Sequence, residues 1–509
     1  MKDKDFKKSA HWLSQPGFWL LFITALALIA RLYHITYPID DAHDFRQTAD
    51  AGLIRDWYRN GINFFYPSLL SLGKPGYLVQ ELPLYQAIAA LLYKLITPDV
   101  IVARVFTIIA GLLSILFIYR ISSRFLDRKS SLLASFFFAF MPLDIFFQRI
   151  PLQDPLTILF SLIMLDFLIK GTSGKKKYFI FSIPAAILGF MMKSPFVAPL
   201  FLPVFYMAWR RRKKFRDLFE PRLLLAFLIP FAAMVIWQHH ANYVNETYCH
   251  KDGYPFKYLY SLWTHPLVGN KYYFGTLSQR LDPSNYLLIL RRLAMYVLTP
   301  PGTVLFILGA VYLARRKKES FAFLFMWLFS LCLIVMMIFS LYIFHNYYLM
   351  LFCPVLAIFC GAGTGFLLDT FKRYGKKTFF AGTFAITVMF LLSGIYFAKD
   401  FYRRDGWVII GQFVGDHTER DALVAVVTPS PQQLDPKILY FADRHGFVVP
   451  SDIMNSALLD YFVKQNVKYL AVAETETFDN MPGKAALDLK IFDISSGKPA
   501  LNAEGWKFL

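Results

Sequence analysis

Pro38-Ile-Asp-Asp-Ala-His-Asp-Phe-Arg-Gln-Thr-Ala-Asp50 follows directly on an apolar run, about residues 17–37. Asp40, Asp41, His43, Asp44 and Arg46 lie within seven residues. Carboxylates at the end of a membrane helix are costly to desolvate. Two readings stand side by side: a solvated loop that happens to be acidic, or an active site at the membrane surface. The rest of the chain decides between them.

The surroundings are lipid-soluble. Of 509 residues, 56% are hydrophobic and only 17% charged, with a mean hydropathy of +0.42, which marks an integral membrane protein. A net charge of +19 would suggest nucleic acid in a soluble protein. Here its location matters more: basic residues cluster between apolar runs, and no nucleic-acid module is visible. Cys332, Cys353 and Cys360 lie in apolar runs and read as core residues, and Cys249 has no evident partner outside the membrane, so no disulfide framework is implied. The first apolar run has no A-x-A-like cleavage site and reads as an anchor.

Charge sets the topology. Lys2, Lys4, Lys7 and Lys8 precede the first span and predict a cytoplasmic N-terminus. Five further basic clusters separate later apolar runs: Arg120 to Lys129, Lys170 to Lys177, Arg210 to Lys214, Arg315 to Lys318 and Lys372 to Lys377. All five share the N-terminal side only if residues 81–96 do not cross. That run, opening with Glu81-Leu-Pro83-Leu-Tyr85, is also shorter than the ~20 residues a span needs. It is expected to stay on the outer side, as is an amphipathic helix over 46–60. The remaining spans are expected near 100–120, 131–148, 154–170, 178–192, 195–209, 222–238, 294–314, 321–343, 346–368 and 378–397, about eleven in all. Outer loops are expected at 38–99 and 239–293. The second is rich in aromatic residues, and a loop of such length is usually functional or structured. Its Asn245-Glu-Thr247 fits a glycosylation sequon.

From about Lys399 the composition changes. Residues 421–428, 446–449 and 468–473 read as strands, and 435–445 and 452–466 as helices, suggesting a small α/β domain over 399–509. It holds 12 Lys and Arg against 15 Asp and Glu, so the basic excess belongs to the membrane part, 1–398. The expected fold class is a polytopic α-helical membrane protein with a C-terminal α/β extracytoplasmic domain.

Under this topology several polar residues gather on the outer face: the acidic loop, Glu81, Arg149, Gln153 and Asp154, Lys193, Arg291 and Arg292, and His345. Acids able to act as base or metal ligand, beside cations able to hold a phosphate, suggest chemistry on an anionic lipid-linked substrate. Plainer roles fit the same residues. Asp154 before Pro155 fits a helix cap, Lys193 can snorkel, and Asp40 suits the cap of the 46–60 helix. His345 with Tyr347 and Tyr348 suits an aromatic belt. A transporter or flippase of lipid-linked substrates is the competing class. It would carry ionisable residues near mid-membrane and inverted repeats, and no repeat is found.

Asp40-Asp41-Ala-His43-Asp44-Phe-Arg46-Gln47, Gly76-Tyr77 to Tyr85, Pro142-Leu-Asp144 to Arg149-Ile-Pro-Leu-Gln-Asp154-Pro155, Lys193-Ser-Pro195 and His345-Asn-Tyr347-Tyr348 together resemble GT-C membrane glycosyltransferases. The similar branch is the bacterial family 39 group, related to protein O-mannosyltransferases and aminoarabinose transferases. The resemblance covers roughly residues 17–400. It implies transfer of a sugar from a polyprenyl-phosphate carrier to a lipid, glycan or protein acceptor at the outer face of the inner (plasma) membrane. The first-loop acid would act as base. Many relatives carry Asp-Glu there, so Asp41 and Asp44 both remain candidates, with Asp154 as a further acid. Arg46, Glu81, Arg149, Lys193, Arg291, Arg292, His345 and Tyr347 are the expected substrate-binding residues. Should a divalent metal ion take part, Asp41, Glu81 and Asp154 are its expected ligands.

Overall fold

A computed structural model describes residues 15–212, 220–249, 272–402, 406–428, 434–473, 489–495, 501–502 and 505–506. The chain divides into two compact units. One comprises Met1–Ile35, Arg104–Trp237 and Pro266–Lys399, and the other Thr36–Ala103, Gln238–His265 and Asp400–Leu509. The basic N-terminal tail and much of the 239–293 loop, including Tyr254, Phe256, Tyr258, Tyr260 and Trp263, lie outside the described residues.

The first unit is helical. Among the described residues, seven helices are long and apolar enough to cross a membrane, and an eighth arises if a bent pair counts as one span. Pro16–Leu32, in the run expected to span, and Leu84–Leu95 of the second unit, in the 81–96 run expected not to, are shorter apolar helices. Four of the expected eleven runs fold differently, at three breaks, each for a local reason. The 131–148 run breaks into Arg128–Phe140 and Pro142–Phe147. Pro142 disfavours helical geometry in the residue before it, and Met141 sits at ψ 128°. The 178–192 and 195–209 runs join in one apolar stretch, Lys177–Arg210, with a kink at Lys193, where the Lys193-Ser-Pro195 turn was expected. Only Lys193, at φ −163°, departs from helical geometry there, two residues before Pro195. The run expected from 294 belongs to a pair, Pro283–Val297 and Thr299–Arg316, bent by 98° where Thr299 has φ +61° ahead of Pro300 and Pro301.

Close helix packing in this unit uses small residues. The Thr299–Arg316 helix lies against Cys353–Arg373. A Cβ on Gly309 would collide with the Phe359 carbonyl, and one on Gly363 with the Leu305 carbonyl. Lipid supplies little hydrophobic drive between helices, so backbone approach of this kind takes its place. The basic clusters also find partners: Arg120, Arg124 and Lys170 converge on fully buried Asp166 at 2.6, 2.6 and 2.8 Å.

In the second unit four strands form one sheet in the order β2-β1-β3-β4: β1 Leu423–Thr428, β2 His445–Pro450, β3 Val467–Ala473 and β4 Leu489–Asp493. Strand β1 runs parallel to both neighbours, and β4 is antiparallel. These strands match the expected segments 421–428, 446–449 and 468–473. Val424 and Val426 pack with Trp407, Ile410, Val414 and Leu439 on one face, while Ala425 and Val427 pack with Leu458, Leu459 and Phe462 on the other. Burial on both faces explains why β1 reads as an unbroken apolar run.

The free edge of β2 is met by residues 69–73 of the first loop. Gly73 N–H donates to Gly446 O (2.7 Å), Gly446 N–H to Leu70 O (2.9 Å), and Ser71 Oγ to Leu434 O (2.6 Å). Leu69 and Leu70 enter the two apolar clusters of the sheet. The loop thus removes an exposed edge that would invite foreign strands.

Replacing Gly363 with Leu is expected to force the two helices apart and destabilise the protein by about 1–3 kcal/mol or more, seen as a lower Tm of the detergent-solubilised protein. A comparable Leu at exposed Gly375 is not a control, since that residue has φ +110°. Gly17, with open space around its Cβ position, is the control expected to keep the wild-type Tm.

Candidate functional site

The acidic loop of the second unit is nearly buried: Asp40, Asp41 and Asp44 are each 7% exposed. Each carboxylate meets a different donor. The two oxygens of Asp40 accept from the N–H groups of Gly406 (2.9 Å) and Trp407 (3.0 Å). Asp40 therefore caps the Trp407–Asp416 helix, not the helix that follows it in sequence. Asp41 Oδ1 accepts from Gln47 Nε2 at 2.6 Å, and the same amide donates to Ala42 O. Asp44 opens the Asp44–Asn60 helix and lies 3.3 Å from Lys437 Nζ.

His43 starts that helix from a left-handed conformation, φ +58°. The helix matches the expected 46–60 segment. It is largely buried, from Gln47 to Trp57, among its own unit's elements. Arg46 pairs with Glu81 at 2.7 Å and stands 3.8 Å from Asp50, which accepts from Gln86. Two expected site residues, Arg46 and Glu81, are thus brought together.

Lys437 was not foreseen. It belongs to the C-terminal segment, far in sequence from the loop. Its ammonium bridges Asp44 and Asp435 (3.0 Å) and lies 4.3 Å above the Trp407 ring. Burial opposes its charge, but the Asp435 and Asp44 carboxylates outweigh that cost and raise its pKa above the ordinary lysine value. Burial raises Asp435 above the usual carboxylate value, with Lys437 acting in opposition. No motif marks these residues, because Asp-Pro-Lys is an ordinary helix start.

Farther along the same unit, Arg59 and Arg55 hold Asp443 at 2.7 and 3.2 Å. Asn245 is buried, and its amide makes two bonds to the Val79 backbone, at 2.8 and 2.7 Å. An amide so engaged is a poor glycosylation acceptor, which removes the sequon reading.

The first unit holds a second constellation. Lys193, at the non-helical residue of its helix, is 2.7 Å from Asp154 Oδ1, and both side chains are almost wholly buried. Its ammonium faces the rings of Tyr348 (4.5 Å), Tyr347 (4.7 Å) and Phe196 (5.2 Å). A desolvated ammonium gains from both carboxylate and ring faces. Tyr347 and Tyr348 are stacked 4.8 Å apart on a short helix, Asn346–Phe352, with the His345 ring 5.4 Å from Tyr347. The second carboxylate oxygen of Asp154 is buried without a hydrogen-bond partner.

The remaining cations are dispersed. Arg149 is fully buried and donates to His34 O at 2.9 Å, while Arg104 donates to Ile35 O at 2.8 Å. Arg292 donates to the Tyr342 and Ile343 carbonyls. Arg291 is exposed. Among the described residues no group of three or more His, Cys, Asp or Glu is placed to hold a metal ion. Of the three expected ligands, Glu81 is engaged by Arg46 and Asp154 by Lys193.

Residues 75–237 match the family model described as dolichyl-phosphate-mannose-protein mannosyltransferase. A search of curated proteins found no match. Among solved structures, ArnT from Cupriavidus metallidurans bound to undecaprenyl phosphate superposes with a TM-score of 0.62 at 13% identity, over 89% of this chain and 93% of ArnT. The archaeal oligosaccharyltransferase AglB from Archaeoglobus fulgidus, in complex with an inhibitory peptide and a dolichol-phosphate, gives 0.56 at 11% identity, over 90% of this chain and 69% of AglB. At such identities the structural likeness speaks for the fold alone, and the family match is confined to residues 75–237. The chain thus shares the fold of ArnT and AglB, and within it residues 75–237 are similar to the protein mannosyltransferase family.

Proposed function

We propose that the protein transfers a sugar from a polyprenyl-phosphate carrier to an acceptor hydroxyl at the outer face of the inner membrane, with Asp41 as the base. The observation that carries the choice of base is the division of labour in the acidic loop. Asp40 has both oxygens on backbone N–H groups, and Asp44 is paired with a buried ammonium. Asp41, oriented by Gln47, is the loop acid proposed to take up the proton. Both structural relatives carry a polyprenyl phosphate, and that supports the donor class.

In this reading the acceptor oxygen attacks the anomeric carbon as its proton passes to Asp41. The bond from that carbon to the phosphate oxygen breaks, and the leaving polyprenyl phosphate keeps the electron pair. A phosphate leaving group needs positive charge more than it needs an acid. Lys193 is the proposed cation, with Asp154 holding its ammonium until the phosphate shares it, and with Tyr347 and Tyr348 screening it from lipid. Arg46 and Glu81 brace the acidic loop, and Arg149, Arg291, Arg292 and His345 are proposed as further donor-binding residues. The outer-face assignment rests on the positive-inside distribution of the basic loops.

The deciding assay is sugar transfer by purified enzyme from its lipid donor. Asp41→Asn is expected to abolish transfer with normal membrane insertion. Asp44→Asn or Asp154→Asn should cost at least about tenfold, about 1.4 kcal/mol of barrier. Wild-type rates in both Asp41→Asn and Asp44→Asn would remove the acidic loop from the reaction.

Lys193→Ala is expected to raise the donor KM or lower turnover while expression holds, measured by titrating the polyprenyl-phosphate sugar. An unchanged titration would place the phosphate elsewhere.

For topology, a C-terminal alkaline phosphatase fusion should be active and a green fluorescent protein fusion dark. The reverse pair of results would put residues 399–509 in the cytoplasm.

A further inference from the structure

We infer that Lys437, supplied by the C-terminal segment, is a positioning residue of the acidic loop: it holds Asp44 as an anion and fixes the loop that presents Asp41. This rests on the reading of that loop as the catalytic centre. Three independent contacts converge on the loop from residues 400–437. Ala42 N–H donates to Phe401 O at 3.0 Å. Asp40 caps Gly406 and Trp407. Lys437 reaches Asp44 from above the ring of that same Trp407.

The chain between Phe401 and Lys437 thus grips the loop at Asp40, Ala42 and Asp44, on both sides of Asp41. The ionisable groups facing the ammonium are Asp44, from the helix that the loop opens, and Asp435, from the turn before Lys437. Two carboxylates share one buried cation, so the cluster carries one excess negative charge when both are ionised. Remove the cation and two nearby acids are left in a poorly solvated site, where one of them holds its proton into a higher pH range. Removing one partner of a buried ion pair is costly for the same reason.

The test compares Lys437→Met with Lys437→Arg in the full-length enzyme, reconstituted in lipid, using a polyprenyl-phosphate sugar as donor. Lys437→Met is expected to lower kcat at least about tenfold with little change in donor KM, and to move the acid limb of the kcat–pH profile upward by about one unit. Lys437→Arg keeps the charge and should restore both. A purely structural role would lower the amount of folded enzyme without moving the limb.

A wild-type kcat and profile in Lys437→Met would overturn the inference, as would a loss that Lys437→Arg does not repair. If Lys437→Met does not fold, Asp435→Asn replaces it. Lys437 then serves Asp44 alone, and the acid limb should move down; an unmoved limb would overturn the inference. Asp41→Asn in parallel separates the two claims. A wild-type rate there sinks the functional reading itself, whereas an inactive Asp41→Asn beside an unaffected Lys437→Met sinks only the role of Lys437.

Discussion

Three carboxylates within five residues, each almost buried, repel one another and lose hydration, and the second unit is arranged around offsetting both costs. Asp40, Asp41 and Asp44 receive three different kinds of donor: backbone N–H groups at a helix start, a side-chain amide, and a buried ammonium. These donors come from separate stretches of chain, so the loop keeps its shape only while they are assembled. The four-stranded sheet supplies that assembly. Its helices carry Trp407 and Lys437, and its β2 edge is bonded to residues 70–73 of the loop that contains the acids.

The helical unit solves the converse problem with cations. Arg31, Arg104 and Arg149 are fully buried, and each donates to backbone carbonyls or to Gln148. Lys193 is met by Asp154 and two tyrosine faces. Buried guanidinium groups here satisfy carbonyls at helix ends, Arg31 at Ala139 before the Pro142 break and Arg149 and Arg104 at His34 and Ile35, where a helix leaves such acceptors unpaired. The break at Lys193 has a further consequence. It turns an otherwise lipid-soluble helix into the holder of a charged side chain, the kind of local departure expected where function competes with regular structure.

Much of this was legible in the sequence. The long apolar runs, the short 81–96 helix, the buried β1 run and the other two expected strands all follow from hydropathy and periodicity, which act over a few neighbouring residues. Asp154 and Lys193 also stood out as unusual residues, though their contact did not. The helices break at Met141, Lys193 and Thr299, where proline chemistry was visible but its outcome depends on what packs against the break. The Asn245 sequon was a pattern without context, and burial against Val79 gave the amide another role.

What the sequence by itself determined is therefore local: which segments are apolar enough for lipid, which residues are too polar to be there by default, and which strands are buried on both faces. What only the tertiary structure decided is which charge answers which. Asp40 suits the cap of the helix beside it, yet caps one that begins at Trp407; Lys437 looks like a helix-start lysine, yet it neutralises Asp44. Electrostatic partners are chosen by proximity in a poorly solvated interior, where an unpaired charge is expensive, and proximity between residues some 390 positions apart is a property of the packed fold that no stretch of sequence carries.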